Sequence, residues 1–213
     1  MKFSMRPARE GKRATSTTRK LLATIAVLGA AASIAGLGTY ATFTSTTSES
    51  HAISSGTVTI ALGATGASTN RLNIGASGVA PGDTIQRSVD LTNSGSLDLA
   101  SVTLTTTASP SSLLDTDAAN GLQMVIDKCS VAWTESGPPY TYTCGGATSS
   151  VVASRAVIGS NIALSNLGAT TAGATDHLRV TLTLPSGAGN TLQNQSSTIS
   201  YAFTGTQRAA TNK

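Results

Sequence analysis

The stretch Leu178-Arg179-Val180-Thr181-Leu182-Thr183-Leu184 alternates apolar and polar residues without a break. Successive side chains on a strand point to opposite faces, so this pattern predicts a strand with one face in a core and one in water. Working outward, the same period recurs. Val58, Ile60 and Leu62 share a face, as do Ile85, Val89 and Leu91, Leu122, Met124 and Ile126, and Ile199, Tyr201 and Phe203. Leu97 and Leu99 are out of phase with Val102 and Leu104, which predicts a bulge or bend between Leu99 and Val102. Turn-forming clusters separate the runs at Ala80-Pro81-Gly82-Asp83, Asn93-Ser94-Gly95, Asn120-Gly121 and Pro185-Ser186-Gly187. Helical periodicity is weak, and only Ser111 to Ala119, after Pro110, suits a helical turn or two. No fixed-length repeat argues for a solenoid or propeller. Many short strands with one polar face predict an all-β, two-sheet antiparallel β-sandwich, jelly-roll-like, with one short helix at most.

The N-terminus is built differently. Residues 1–20 carry Lys2, Arg6, Arg9, Lys12, Arg13, Arg19 and Lys20 against the single acid Glu10. Leu21 to Leu37 is uncharged, and the small residues Gly38, Thr39 and Ala41 surround Tyr40. A basic segment, an apolar segment and a small-residue exit form the layout of a secretory signal helix. The alternative is a retained membrane anchor, for which this Ala- and Gly-rich stretch is slightly short. The expected organisation is a signal peptide over 1–41, a flexible segment over 42–55, a β-sandwich over 56–207 and a tail over 208–213.

Removing 1–41 reverses the electrostatics. The whole chain is +4 at neutral pH. Residues 1–41 hold seven bases and one acid, which leaves seven bases and nine acids and a net −2. A nucleic-acid partner, which needs a basic face, loses its support. Contact with a membrane is expected only through the uncleaved signal. Thr, Ser, Ala and Gly dominate the remainder, and the apolar alternation argues against disorder.

Cys129 and Cys144 are the two cysteines. In an exported chain an even count suggests a disulfide. Between them Ser136-Gly137-Pro138-Pro139 reads as a turn, flanked by strand-like CSVAWTE and YTYTC, so the pair would close a hairpin. Such a bridge over 15 residues contributes about 3 kcal/mol in the chain-entropy model. Free thiols or metal ligands are the alternative, with no second cysteine pair or nearby histidine to complete a metal site.

A search for chemistry finds no catalytic site and calls for no cofactor. His51 and His177 do not begin the His-Glu-x-x-His pattern of a zinc hydrolase. Asp176 and His177 are adjacent on a strand and would face opposite ways, so they make a poor acid–base dyad. No Gly-x-Ser-x-Gly elbow sits between a strand and a helix. Asp115 and Asp117 invite a calcium reading, but the twelfth position from Asp115 is Ile126, which cannot ligate, and a turn or helix cap explains both acids.

The exit of the signal carries a resemblance. Leu37-Gly38-Thr39-Tyr40-Ala41-Thr42-Phe43, then Ile53-Ser54-Ser55-Gly56-Thr57-Val58, resembles the TasA/camelysin family of secreted proteins. Pro81-Gly82-Asp83 and Asn93-Ser94-Gly95-Ser96-Leu97 are similar to that family's turn and strand junction. The resemblance implies cleavage by a SipW-type signal peptidase between Ala41 and Thr42, a jelly-roll sandwich, and no enzymatic role. It implies a secreted subunit of extracellular biofilm-matrix fibres, whose partners are further copies of itself and other matrix or cell-surface components. The segment Thr42, Phe43, Thr44, Ser45 and onward to Ala52 is then a candidate donor strand, being β-prone and free of Pro. Camelysin relatives carry a metallopeptidase label, for which the sequence offers no zinc-ligand cluster. The cysteine hairpin departs from TasA. A monomeric adhesin is the alternative function, with Trp133, Tyr140 and Tyr142 on the hairpin as a contact surface; for Trp133 the alternative is a plain core position.

Overall fold

The computed structural model describes residues 55–211; the expected signal, its expected cleavage point and the candidate donor strand lie outside them. Ten strands and one short helix follow in chain order: β1 (Ile60–Leu62), β2 (Thr84–Asn93), β3 (Leu99–Ala108), α1 (Leu113–Thr116), β4 (Gln123–Cys129), β5 (Thr134–Ser136), β6 (Thr141–Thr143), β7 (Thr148–Ala156), β8 (Gly159–Ala163), β9 (Thr175–Thr183) and β10 (Ile199–Gln207). A single 3-10 turn spans Asn190–Leu192.

The strands form a five-stranded sheet, β1-β2-β9-β4-β7, and a three-stranded sheet, β10-β3-β8, with every pairing antiparallel. The chain changes sheet at β2–β3, β3–β4, β7–β8, β8–β9 and β9–β10. Among the described residues the expected two-sheet antiparallel sandwich with at most one short helix is the fold observed; the expected N-terminal signal helix lies outside them. One core joins the sheets, with Val89, Leu91, Met124, Ile126, Leu178 and Val180 from one face packed with Val102, Leu104 and Ile162 from the other. In β9 the opening heptapeptide behaves as its alternation requires: Leu178, Val180, Leu182 and Leu184 are buried.

Two local readings hold in detail. In β3 the pairing with β10 slips at Ala100, because Thr206 faces Ser101 while Gln207 faces Leu99. One extra residue there restores Val102 and Leu104 to the core face, which is the bulge implied by the phase shift. At α1, Ser112 accepts from the Leu114 amide and Asp115 accepts from the Ser112 amide, a reciprocal capping box.

Two readings need correction. The first strand begins at Ile60, not Val58, and Val58 is exposed. The Thr57 and Thr59 carbonyls are taken instead by amides of the 94–97 loop. The hairpin strands are also shorter than CSVAWTE and YTYTC suggested, three residues each. The preceding Ser130 is tied to Ala147, which holds that part of the chain off the ladder.

Candidate functional site

Two places in the domain gather chemistry-bearing side chains: the outer face of the five-stranded sheet, and the free edge of the three-stranded one. The register builds the first. Asp90, His177 and Cys129 lie in one cross-strand row, and Ser88, Arg179 and Asp127 lie in the next. All alternate with core residues, so they share the outward face. His177 Nδ1 stands 2.8 Å from Asp90 Oδ1 and Arg179 Nη2 donates to Asp127 Oδ2 at 3.0 Å.

The β5–β6 hairpin lies across these rows as a third layer. Cys129 and Cys144 form the disulfide, with Cα atoms 5.7 Å apart. The Trp133 indole N–H donates to the His177 carbonyl at 2.8 Å, and Arg179 Nη1 donates to the Tyr142 carbonyl at 3.3 Å. Glu135 accepts two hydrogen bonds from Arg71, at 2.9 and 2.6 Å, and one from the Tyr142 hydroxyl at 2.8 Å. The Arg71 hydrogen bond holds the Glu135 carboxyl below its usual range. Burial pushes the Tyr142 phenol up. Arg71 and Arg87 approach the Tyr140 ring at 4.9 and 5.5 Å. At the hairpin tip Gly137 has φ +122°, and a Cβ there would overlap the Pro139 carbonyl. Only glycine suits that position.

This placement corrects the expectation of an exposed aromatic surface. Tyr142 is buried and Trp133 and Tyr140 are half-buried, all three engaged toward the sheet. The turn let the hairpin be recognised locally, but nothing local says which way it folds. Arg71, Glu135 and Arg179, which the sequence reading passed over, hold it down, and only their separation in the chain hid them.

The remaining acids are accounted for. Asp176 faces away from His177, as alternation requires, and is buried; it accepts from the Gly168 and Ala169 amides and from Lys128. Asp115 accepts from the Ser111 hydroxyl and the Ser112 amide, and Asp117 from the Ala119 and Asn120 amides. Capping and turn formation therefore absorb the pair that invited a calcium reading. Asp83 and Asp98 likewise accept from the Ala80 and Ala172 amides.

A catalytic zinc needs about three nitrogen, sulfur or carboxylate ligands converging on one point. Among the described residues no group of three or more His, Cys, Asp or Glu is placed to hold a metal. His177 is paired with Asp90, and both cysteines are bonded to each other. These residues do not fit a zinc centre; His51 lies outside the described residues.

The second place is β10. Its nine residues pair with β3 on one side. Among the described residues no backbone group bonds to its other side. Ile199, Tyr201 and Phe203 face the core side half-buried. Burial pushes the Tyr201 phenol up to about 12. β7, the other long edge, differs: its Ser150 and Val151 carbonyls accept from Asn166 and Ser165.

No curated protein matches the chain. The sequence model described as camelysin metallo-endopeptidase matches residues 16–137, which is more than half of the chain. With the exit sequence, the turn motifs and the all-β sandwich in agreement with it, the chain belongs to the camelysin family.

Proposed function

We propose that this protein is an exported, non-enzymatic structural subunit that assembles into extracellular fibres by strand addition. The observation that carries the reading is the free edge of β10: nine residues, no charge, no proline, and half-buried apolar side chains beside it. Natural edge strands are commonly blunted by lysine, proline, bulges or a covering segment. An edge lacking these devices accepts another strand through its unpaired amides and carbonyls. The candidate donor is 42–52 of a second copy, TFTSTTSESHA, freed when signal peptidase cleaves between Ala41 and Thr42. Phe43 would then sit beside Phe203 or Tyr201.

The family's printed description names a metallo-endopeptidase. The described residues do not fit the metal such chemistry uses, so no catalytic step is assigned. The inward engagement of Trp133, Tyr140 and Tyr142 weighs against their use as an adhesive surface.

The test is electron microscopy and sedimentation of the mature chain beginning at Thr42. Filaments are expected, and deletion of 42–52 should leave folded monomers. Free peptide of residues 42–52 should shorten the filaments. A mature chain that stays monomeric at high concentration refutes the proposal. Casein cleavage abolished by a chelator would replace it with a peptidase.

A further inference from the structure

The two sheets differ in charge. The strands of the five-stranded sheet hold Arg87, Asp90, Asp127, Lys128, Arg155, Asp176 and Arg179. No residue of β3, β8 or β10 is charged. The outward face of this second sheet is a ladder of small hydroxyl and methyl groups. Thr103 is opposite Thr204, Ser101 opposite Thr206, and Thr105 opposite Ala202. These side chains alternate with buried Val102 and Leu104, and those on β10 are exposed. Unlike the first sheet, this one has no hairpin layered on it among the described residues.

We infer that this face is a lateral contact that stacks on the same face of a second copy in a neighbouring fibre; the inference rests on the fibre reading. Two arguments select that occupant. A charged partner finds no counter-charge here, and burying charge against an uncharged face costs desolvation with nothing to offset it. A second copy brings none: threonine methyls pack while hydroxyls pair with hydroxyls.

The second is area. Two strands about 30 Å long and the shorter β8 of about 17 Å, spaced about 4.8 Å apart, present roughly 370 Å² per copy. A stable pair buries about 1,200 Å² or more in total, so isolated subunits stay apart. An array of such faces along a fibre adds up without any new contact. Strand addition builds the fibre, and the ladder joins fibres side by side.

The experiment uses the mature chain (42–213) in two formats. One is the fibre, scored for side-by-side bundling by electron microscopy. The other is the same chain coupled to latex beads, scored for bead clustering, which needs a dense array but no fibre. Ser101→Lys with Thr103→Lys, both on β3 and away from the β10 edge, should leave single fibres intact, abolish bundles, and reduce bead clustering on the order of 100-fold. Ser101→Glu with Thr103→Glu should do the same alone. Beads of the two variants mixed should cluster again, a recovery that misfolded protein would not produce. Lys-variant beads that cluster as well as the parent overturn the inference, as does clustering that requires an added polysaccharide. Absence of fibres with charge-sensitive bead clustering would sink the fibre reading and leave the lateral face standing.

Discussion

The Arg179 guanidinium carbon stands 4.5 Å from the centre of the Trp133 ring. The same side chain reaches Asp127 beneath it and the Tyr142 carbonyl beside it. Arg179 therefore joins the five-stranded sheet to the hairpin above. Guanidinium stacking on indole contributes up to about 2 kcal/mol where it is shielded from water. Trp133→Ala should destabilise the domain by about 2 kcal/mol in urea unfolding, counting lost ring packing as well. Unchanged stability would mean that the hairpin is not docked through Trp133.

The disulfide should matter mainly to the same layer. Replacing Cys129 and Cys144 by Ser should lower stability by about 3 kcal/mol. It should also make the 130–147 segment the first site of proteolytic nicking. The remaining strands keep their pairings, so circular dichroism at low temperature should stay β-type. Resistance of the double variant to proteolysis equal to that of the parent would contradict this.

Asp176 is the most exacting carboxylate in the domain. Its side chain is buried, and three donors converge on it from a loop and from β4. Asp176→Ala leaves the Gly168 and Ala169 amides and the Lys128 ammonium unpaired. A cost of about 3 kcal/mol is expected, read as a drop in the urea midpoint with little change in slope. A loss no larger than that of Asp117→Ala, on an exposed turn, would show that the loop does not depend on it.

Acid should loosen the hairpin before it unfolds the sandwich. The Glu135 carboxyl lies below its ordinary 4.5 because Arg71 hydrogen-bonds its ionised form. Its folded pKa is depressed, so its contribution is fully present above about pH 4.5 and disappears as pH falls through the lower folded value. Glu135→Gln should flatten stability against pH in that window. At the alkaline end the sign is opposite. The Tyr201 phenol is raised from 10.0 to about 12, so its contribution is lost as pH rises between those values. Tyr201→Phe should remove that alkaline loss, measured as urea midpoints across the window.

The elements were legible because each was written in a few neighbouring residues. Period-2 runs such as Leu178 to Leu184 marked strands. The phase slip before Val102 marked the bulge at Ala100, and the stretch Ser111 to Ala119 after Pro110 marked α1; its capping box emerged only in the structure. The cysteine spacing marked a closed hairpin. The error on the aromatics has an equally plain cause. Trp133, Tyr140 and Tyr142 alternate with Thr134, Thr141 and Thr143 as they would on any two-faced ribbon. Their partners, Arg71, Arg87 and Arg179, lie 37 or more residues away in the chain or on the far strand, where no local pattern points.

The sequence by itself determined an all-β domain, its breaks, the helical turn at α1 and the family, but not the 3-10 turn at Asn190–Leu192. It did so because backbone alternation, capping and turn chemistry are short-range. Only the tertiary structure decided which strands became neighbours. Val89 pairs with Leu178, Asp90 meets His177 across 87 positions, and β10 is left at an edge. Strands with similar alternation satisfy many sheet orders locally, and the choice among them falls to long-range packing of one shared core. That choice placed the hairpin over the charged sheet and, among the described residues, no second layer over the uncharged one.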